Sequence, residues 1–397
     1  MKLRKIKFND HPILKNLEIS FEDKNEEVLD TIILIGNNGS GKTSILKGIF
    51  DGIILNGMND VDTLIRIEGI TGKNIVETLS NISTSQMSFL KRRINNKEII
   101  IDEIDENAKS IGKIIYMPAE TNYDFSNKVD SRIQVPDQFL NMIDQNITKN
   151  ISSFIASRIE TAVFINENIV PKQSMKIACD EINAVFKHMD LEVELIGLSK
   201  DGDKKPLFKN RKGDTFLIES LSSGEKQLFL RALSLKFLDV NDSIILIDEP
   251  ELSLHPEWQR KIISVYEGIG YNNQIIVATH SPHVVSDIKK EQLRILYRDD
   301  EISIVPIDEM DSTYGQTIEN ILLNIMGLDS IRNDDLGEKL NKLQMLLRNN
   351  NVLQDEKFHT LLNEVTEYLD DSDVEMALIH AQIRRLQMRG AKNAESK

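Results

Sequence analysis

The chain has 397 residues, 40% of them hydrophobic, and a formal net charge of −15, which allows one large α/β domain with a smaller appendage and excludes a general electrostatic pull toward nucleic acid or an anionic membrane, so any DNA contact must come from a local basic patch. The single cysteine, Cys179, excludes an intrachain disulfide and a cysteine-built zinc site and fits a reducing cytosol. The start, Met1-Lys2-Leu3-Arg4-Lys5, lacks the apolar run of a signal peptide, and no stretch approaches the roughly 20 apolar residues of a membrane span; the expectation is a soluble, cytoplasmic protein without membrane contact.

Residues 3–8 and 13–21 alternate in the manner of strands around a His11-Pro12 turn. Thr31–Ile35 is a short apolar run that ends in a Gly-rich loop, and Ser44–Leu55 then has helical spacing. Residues 99–117 read as a strand pair ending in Ile114-Ile115-Tyr116-Met117-Pro118, 121–190 as helical, and 191–219 as a β-hairpin around Gly202 and Gly213. A helix over Leu228–Leu238 precedes two apolar runs, Ile244–Ile247 and Ile275–Ala278, with the length of buried parallel strands. A last strand pair is expected over 293–307. After about 311 apolar residues recur only at helical spacing: Leu336, Leu340, Leu343, Leu347, then Phe358, Leu361, Leu362, Val365. Ser372-Asp373-Val374-Glu375 reads as a capping box opening a last helix, with a basic tail from Arg384 that is expected to fray.

Two segments carry phosphate chemistry. Gly36-Asn37-Asn38-Gly39-Ser40-Gly41-Lys42-Thr43, followed by Ser44, fits G-x-x-x-x-G-K-[ST] between a strand and a helix, the context the motif requires. Its glycines let backbone N–H groups approach phosphate oxygens. Lys42 is expected to reach the β and γ phosphates, and the Thr43 hydroxyl to take a position on Mg²⁺. Ile244-Ile245-Leu246-Ile247-Asp248-Glu249-Pro250 delivers two carboxylates to the end of a buried strand. Successive strand residues face opposite ways, so Asp248 is the candidate Mg²⁺ ligand and Glu249 the candidate acceptor of a proton from attacking water.

Between them lies Leu221-Ser222-Ser223-Gly224-Glu225-Lys226-Gln227, Ser and Gly opening a helix. It is an ordinary capped helix start and also a second anion site. Because the chain's own phosphate loop serves its own nucleotide, this second site makes sense if it serves a nucleotide held by another copy. The segment resembles the signature of ABC-type ATPases of the SMC, RecF and OLD group. That resemblance implies an ABC-type P-loop head, a mixed sheet with helices over residues 1–310, with an inserted helical lobe and β-hairpin at 121–215 and an all-helical, partner-docking region at 311–397. It implies ATP and Mg²⁺ as cofactors and a homodimer, or a higher even oligomer, paired head to tail around two ATP. Ser223 and Gly224 would complete the partner's site, Glu251–Pro256 would form the D-loop at the seam just before Trp258, and His280, in Val277-Ala278-Thr279-His280-Ser281-Pro282, would be the switch histidine. The family's Gln on the loop entering the lobe is absent from Met117-Pro118-Ala119-Glu120-Thr121-Asn122-Tyr123; Glu120 or Asn122 would take its place. His11 is the candidate for stacking on adenine.

The phrase Ile115–Tyr123 and Ser312-Thr313-Tyr314-Gly315 are similar to the ATPase subunit of Septu-type phage-defence systems, including retron-associated versions. This implies an ATP-hydrolysing subunit that regulates a separate HNH-type nuclease in antiviral defence, with DNA reached through the complex. Asp371-Ser372-Asp373 opens a helix and reads as a cap, so no intrinsic nuclease is expected. The alternative is a RecF- or SMC-like repair ATPase that binds DNA directly. Its candidate contacts are Lys91-Arg92-Arg93 and the basic residues at Lys204, Lys205, Lys209, Arg211 and Lys212.

Overall fold

The N-terminus forms strand β1 (Lys2–Lys7), in which Leu3 and Ile6 are buried, and β2 (Glu18–Ser20), antiparallel to it with Lys5 opposite Ser20. The structure, a computed structural model, describes residues 2–8, 11–56, 64–68, 113–119, 129–133, 140–166, 168–309, 312–328, 331–348, 352–370 and 372–395. Residues 11–17 are a turn, not the start of a strand. The His11 imidazole Nδ1 accepts from the N–H groups of Ile13 and Leu14 (3.1 and 3.0 Å), and Leu14 is buried from the turn itself. Strand β3 (Thr31–Gly36) then leads through the Gly-rich loop into helix α1 (Lys42–Asn56). β4 (Leu64–Glu68) pairs with the other side of β1, closing a small antiparallel sheet of order β2-β1-β4.

β5 (Ile114–Met117) and β6 (Leu140–Met142) pair in parallel. Residues 140–142 lie in the stretch read as helical, yet they join the sheet; three residues are too few to carry a period, so only pairing reveals them. Helices α2 (Gln145–Lys149), α3 (Ile151–Ile165) and α4 (Pro171–Asn183) follow. Then comes a three-stranded meander, β7 (Val193–Leu198), β8 (Pro206–Asn210) and β9 (Thr215–Leu217), one strand more than a hairpin. Helix α5 (Ser223–Phe237) precedes β10 (Ile244–Asp248), α6 (Pro256–Glu267), β11 (Gln274–Thr279) and α7 (Pro282–Val285). β12 (Leu293–Arg298) and β13 (Ile302–Ile304) are the antiparallel last pair.

The main sheet has the order β13-β12-β3-β11-β10-β5-β6, parallel except for β13. Every residue of β5, β10 and β11, and the first five of β3, is buried. A parallel strand covered on both faces has no solvent side to spend on polar residues, so these strands read as continuous Ile/Leu/Val runs. Ile32, Leu34, Ile45, Ile49, Ile114, Tyr116, Leu246 and Ile276 share one core cluster with Leu3, Ile6 and Ile19 of the small sheet.

Two compact units divide between Ile321 and Leu322, later than the change of texture near 311. Thr313 is fully buried and its hydroxyl donates to Ile288 O (2.6 Å), which keeps that segment with the first unit. After the short turn α8 (Ile318–Asn320), the second unit consists of α9 (Asp334–Leu346), α10 (Glu356–Thr366) and α11 (Val374–Glu395). They close around Leu340, Leu343, Phe358, Val365, Met376 and Ile379. The last helix is capped one residue later than the sequence pattern indicates. Asp373 Oδ1 accepts from the N–H groups of Glu375 and Met376 (3.0 and 3.2 Å), while Ser372 turns to Asp370. The basic tail continues this helix through Glu395.

Candidate functional site

Register brings the chemistry to one rim. β11 pairs with β3 so that Thr279 faces Ile35, and with β10 so that Ala278 faces Asp248; β12 sets Leu296 beside Gly36. The carboxyl ends of β3, β10 and β11 therefore coincide, with β11 between the phosphate-loop strand and the acidic strand. Ligands of open α/β sheets bind at this edge, outside the strand ends.

The Gly-rich loop is tightly built. A Cβ on Gly36 would stand 2.3 Å from Leu296 O and 2.7 Å from Ser40 Oγ, and Gly41 has a left-handed φ of 91° under Leu14 and Ile302. Lys42 is buried, and its ammonium donates to Gly36 O (2.6 Å) and Asn37 O (3.2 Å). Burial lowers its pKa against the upward pull of Glu249, Asp248 and Glu251. Arg298, exposed on β12, donates to Gly39 O (3.2 Å).

Thr43 Oγ1 donates to Asp248 Oδ1 (3.1 Å), so residues 205 positions apart meet as sequence reasoning expects. Tyr116 OH stands 3.5 Å from Asp248 Oδ2. Burial raises the Asp248 pKa, opposed by the Thr43 hydrogen bond. A hydroxyl and one carboxylate suit Mg²⁺, which takes one or two protein oxygens and keeps several waters. Ser40 Oγ is buried without a hydrogen-bond partner inside the loop, a donor for which a phosphate oxygen is the fitting acceptor.

Glu249 follows the end of β10, where strand alternation no longer sets its direction. Its φ is +44°, a left-handed conformation costly for a non-glycine residue, and its N–H donates to Ala278 O (2.8 Å). Its carboxylate Oε1 lies 3.1 Å from His280 Nδ1. Glu251 is buried, and its Oε1 accepts from Thr279 Oγ1 (2.6 Å) and His280 N (3.1 Å), while Oε2 has no partner. Burial raises the Glu251 pKa. Ser281 Oγ donates to Gln259 (2.7 Å), whose amide donates to Leu254 O (3.0 Å), so residues 249–259 and the end of β11 are laced together. A half-exposed carboxylate beside an imidazole at this rim can orient a water and take its proton.

Ser223 and Gly224 sit elsewhere: among the described residues no hydrogen bond joins them to the phosphate loop. Ser222 caps α5 in a capping box. Its hydroxyl accepts from Glu225 N (3.3 Å) and donates to the Glu225 carboxylate (2.7 Å). The helix start, read from the sequence as both a capped helix and an anion site, is capped by its own Glu225, while Ser223 is exposed and Gly224 buried. A Cβ on Gly224 would meet Ser253 O at 2.6 Å.

Sequence reading assigns Arg231 no role, and it places Glu251 only as the first residue of the D-loop, not as the acceptor for Thr279 and His280. Arg231 is 1% exposed and donates to three backbone carbonyls, those of Asp248, Glu249 and Pro118. A charged residue at an inward position of an otherwise apolar helix was the available signal. Glu120, Asn122 and Lys91-Arg92-Arg93 lie outside the described residues. The basic residues of the meander are largely neutralised: Lys204 pairs with Glu160, Arg211 with Asp190, and Lys205 approaches Glu219 (3.8 Å). Among the described residues no helix is long and apolar enough to cross a membrane, and no group of three or more His, Cys, Asp and Glu side chains is placed to hold a metal ion.

The nucleotide motifs, the parallel core and the signature helix define an ABC-type P-loop ATPase. The chain belongs to the family described as "AAA domain, putative AbiEii toxin, Type IV TA system", whose sequence profile matches residues 87–286, half of the chain. It is similar to the "Retron Vc95 probable ATPase" of Vibrio cholerae serotype O1 biovar El Tor, at 26% identity over 75% of this chain and 73% of that protein. It is also similar to the "Septu protein PtuA" of Bacillus thuringiensis, at 24% identity over 80% of this chain and 84% of that one. Among solved structures, an SMC head bound to the C-terminal winged-helix domain of ScpA is matched at 14% identity with a TM-score of 0.40, over 78% of this chain and 99% of that one. The chain is an ATPase similar to those of Septu and retron systems.

Proposed function

We propose that this chain is a cytoplasmic subunit that pairs head to tail with a second copy around two ATP and two Mg²⁺, and that ATP occupancy regulates an associated HNH-type nuclease in anti-phage defence. The observation that carries the pairing is the signature helix start. Ser223 is exposed and, among the described residues, makes no hydrogen bond to the chain's own phosphate loop, while Gly224 is pressed against Ser253 of the D-loop. The kinship with Septu and retron ATPases supports the defence role, and the helical region from 311 onward is the proposed docking surface for the nuclease. The pairing of the meander's cations with Glu160 and Asp190 disfavours direct DNA binding by the lobe, since such pairs have little charge left for phosphates.

In this reading residues Gly36 to Ser44 hold the nucleotide. Lys42 leaves the carbonyls of Gly36 and Asn37 for the phosphates. Thr43 and Asp248 hold Mg²⁺, which supplies charge neutralisation on the phosphate oxygens. Glu249, steadied by His280, takes the proton of the attacking water, and His280 contacts the terminal phosphate. Ser223 and Gly224 of the other copy close the site.

The test is affinity purification of the full chain from its host, wild type beside Glu249→Gln, with mass spectrometry and a DNA-cleavage assay. A stoichiometric nuclease whose activity changes with ATP is expected. Reproducible recovery of DNA without a nuclease would overturn the regulatory reading in favour of a repair ATPase.

A further inference from the structure

We propose that Arg231 is the positioning residue for Glu249: it clamps the strand-end peptide to the signature helix, so that the helix bearing Ser223 and Gly224 and the carboxylate move together. The inference rests on the roles given above to Glu249 and the signature segment, and concerns how they are linked.

The guanidinium of Arg231 is spread over three backbone oxygens. Nη1 donates to Glu249 O (3.0 Å), and Nη2 donates to Asp248 O (2.7 Å) and Pro118 O (2.9 Å). Among the described residues none of its hydrogen bonds goes to a carboxylate. Its neighbours Leu230, Ala232 and Leu233 are fully buried, and its own Nε is buried without a partner. Burying a guanidinium is costly, and a Met or Leu of similar volume would fill the space more cheaply. The cation is therefore not explained by packing. What it contacts explains it.

The peptide it holds has few other ties: Glu249 O also accepts from Leu252 N, at a long 3.4 Å. β10 ends at Asp248, and at Glu249 the backbone enters the left-handed region with φ +44°. That turn takes the Glu249 carbonyl out of the strand ladder and stores strain that its surroundings must offset. The planar fork of Arg supplies donors to adjacent carbonyls together, which Lys, a compact point charge, cannot match. Pro118, the third acceptor, follows β5 and begins the segment that leaves the sheet.

A second contact fixes the same helix to the same loop. Gly224 and Arg231 are seven residues apart on α5, so two turns place them on one face. Gly224 packs so closely on Ser253 O that a Cβ would stand 2.6 Å away. That face is thus joined to residues 248–253 at two points, and a displacement of the helix start is passed to the Glu249 peptide. A misplacement of about 1 Å at a reacting group can cost about a hundredfold in rate.

The experiment compares ATP turnover and equilibrium binding of a fluorescent ATP analogue, with Mg²⁺, for the full-length wild type, Arg231→Gln, Arg231→Lys, Glu249→Gln and the double variant Arg231→Gln/Glu249→Gln. Arg231→Gln is expected to lower kcat about tenfold to a hundredfold with analogue affinity within about twofold, because the phosphate loop is untouched. Arg231→Lys should recover part of the loss. Adding Arg231→Gln to Glu249→Gln should leave the residual turnover unchanged, since Arg231 acts through that carboxylate. Wild-type kcat in Arg231→Gln would overturn the proposal. So would parallel loss of kcat, nucleotide affinity and melting temperature in both Arg231 variants, which marks a structural residue. Undiminished turnover in Glu249→Gln alone sinks the base assignment instead, and is read independently in the same series.

Discussion

The rim of the parallel sheet and the C-terminal helical unit are built on opposite terms. At the rim, costly features crowd together: a buried Lys42, a buried Arg231, two buried carboxylates at Asp248 and Glu251, and a left-handed Glu249. Each is held by a specific partner, and the surrounding fully apolar strands make that placement rigid. In the helical unit the order is reversed. Leu343, Phe358 and Val365 pack in an ordinary amphipathic cluster, while Met345, Tyr368, Leu378 and Met388 stay exposed on the outer faces. Strain and buried charge collect where chemistry needs fixed geometry; apolar surface is left uncovered where none does. The contrast teaches where to look for each kind of mutational effect.

The sharpest test of the contrast changes activity without stability. Glu249→Gln should lower turnover about 10²- to 10⁴-fold, keep ATP binding and accumulate ATP-bound pairs on size exclusion; unchanged turnover would break the base assignment. Phe358→Ala should do the reverse. It should cost about 3–5 kcal/mol in the helical unit, seen as early loss of helical signal on heating, while analogue binding persists. Joint loss of both signals would dissolve the distinction between the two regions.

Smaller effects sharpen it further. Glu251→Ala strips the acceptor from Thr279 Oγ1 and His280 N and should cost about 1–3 kcal/mol in urea denaturation, with Glu251→Gln restoring most of it because the amide oxygen still accepts. In the helical unit, burial raises the Asp373 pKa, but the Arg332 hydrogen bond (2.7 Å) and charge, together with the N–H groups of Met376 and Glu375, outweigh it and hold the group below its ordinary value of 3.8. A depressed carboxylate stabilises the fold above 3.8, and that contribution is lost as pH falls through the lower folded value. Asp373→Asn should therefore flatten the acid limb of that unit's melting curve; an unaltered limb would remove this ion pair from the account. Smallest is an optical change. Trp258, beside Gly224, should alter its fluorescence when ATP drives pairing, and a flat signal in conditions where pairs form would count against this placement of the seam.

Much of the site was legible because its parts are local. A phosphate loop needs glycines and a lysine at fixed spacing, and Gly36 to Thr43 state it in eight consecutive residues. Continuous apolar runs announced the buried strands, since only a strand covered on both faces reads that way. Asp248 and Glu249 could be named because they follow such a run, and His280 through the family resemblance of the motif around it. Tertiary structure alone decided the rest. It set β11 between β3 and β10, which puts His280 beside Glu249 and leaves Thr43 to reach Asp248. It moved Leu140–Met142 into the sheet. It gave Arg231 and Glu251 their partners, backbone carbonyls and N–H groups that every residue possesses and no sequence motif records. Spacing along the chain specifies what a residue's near neighbours must be, whereas a buried charge finds its partners through folding.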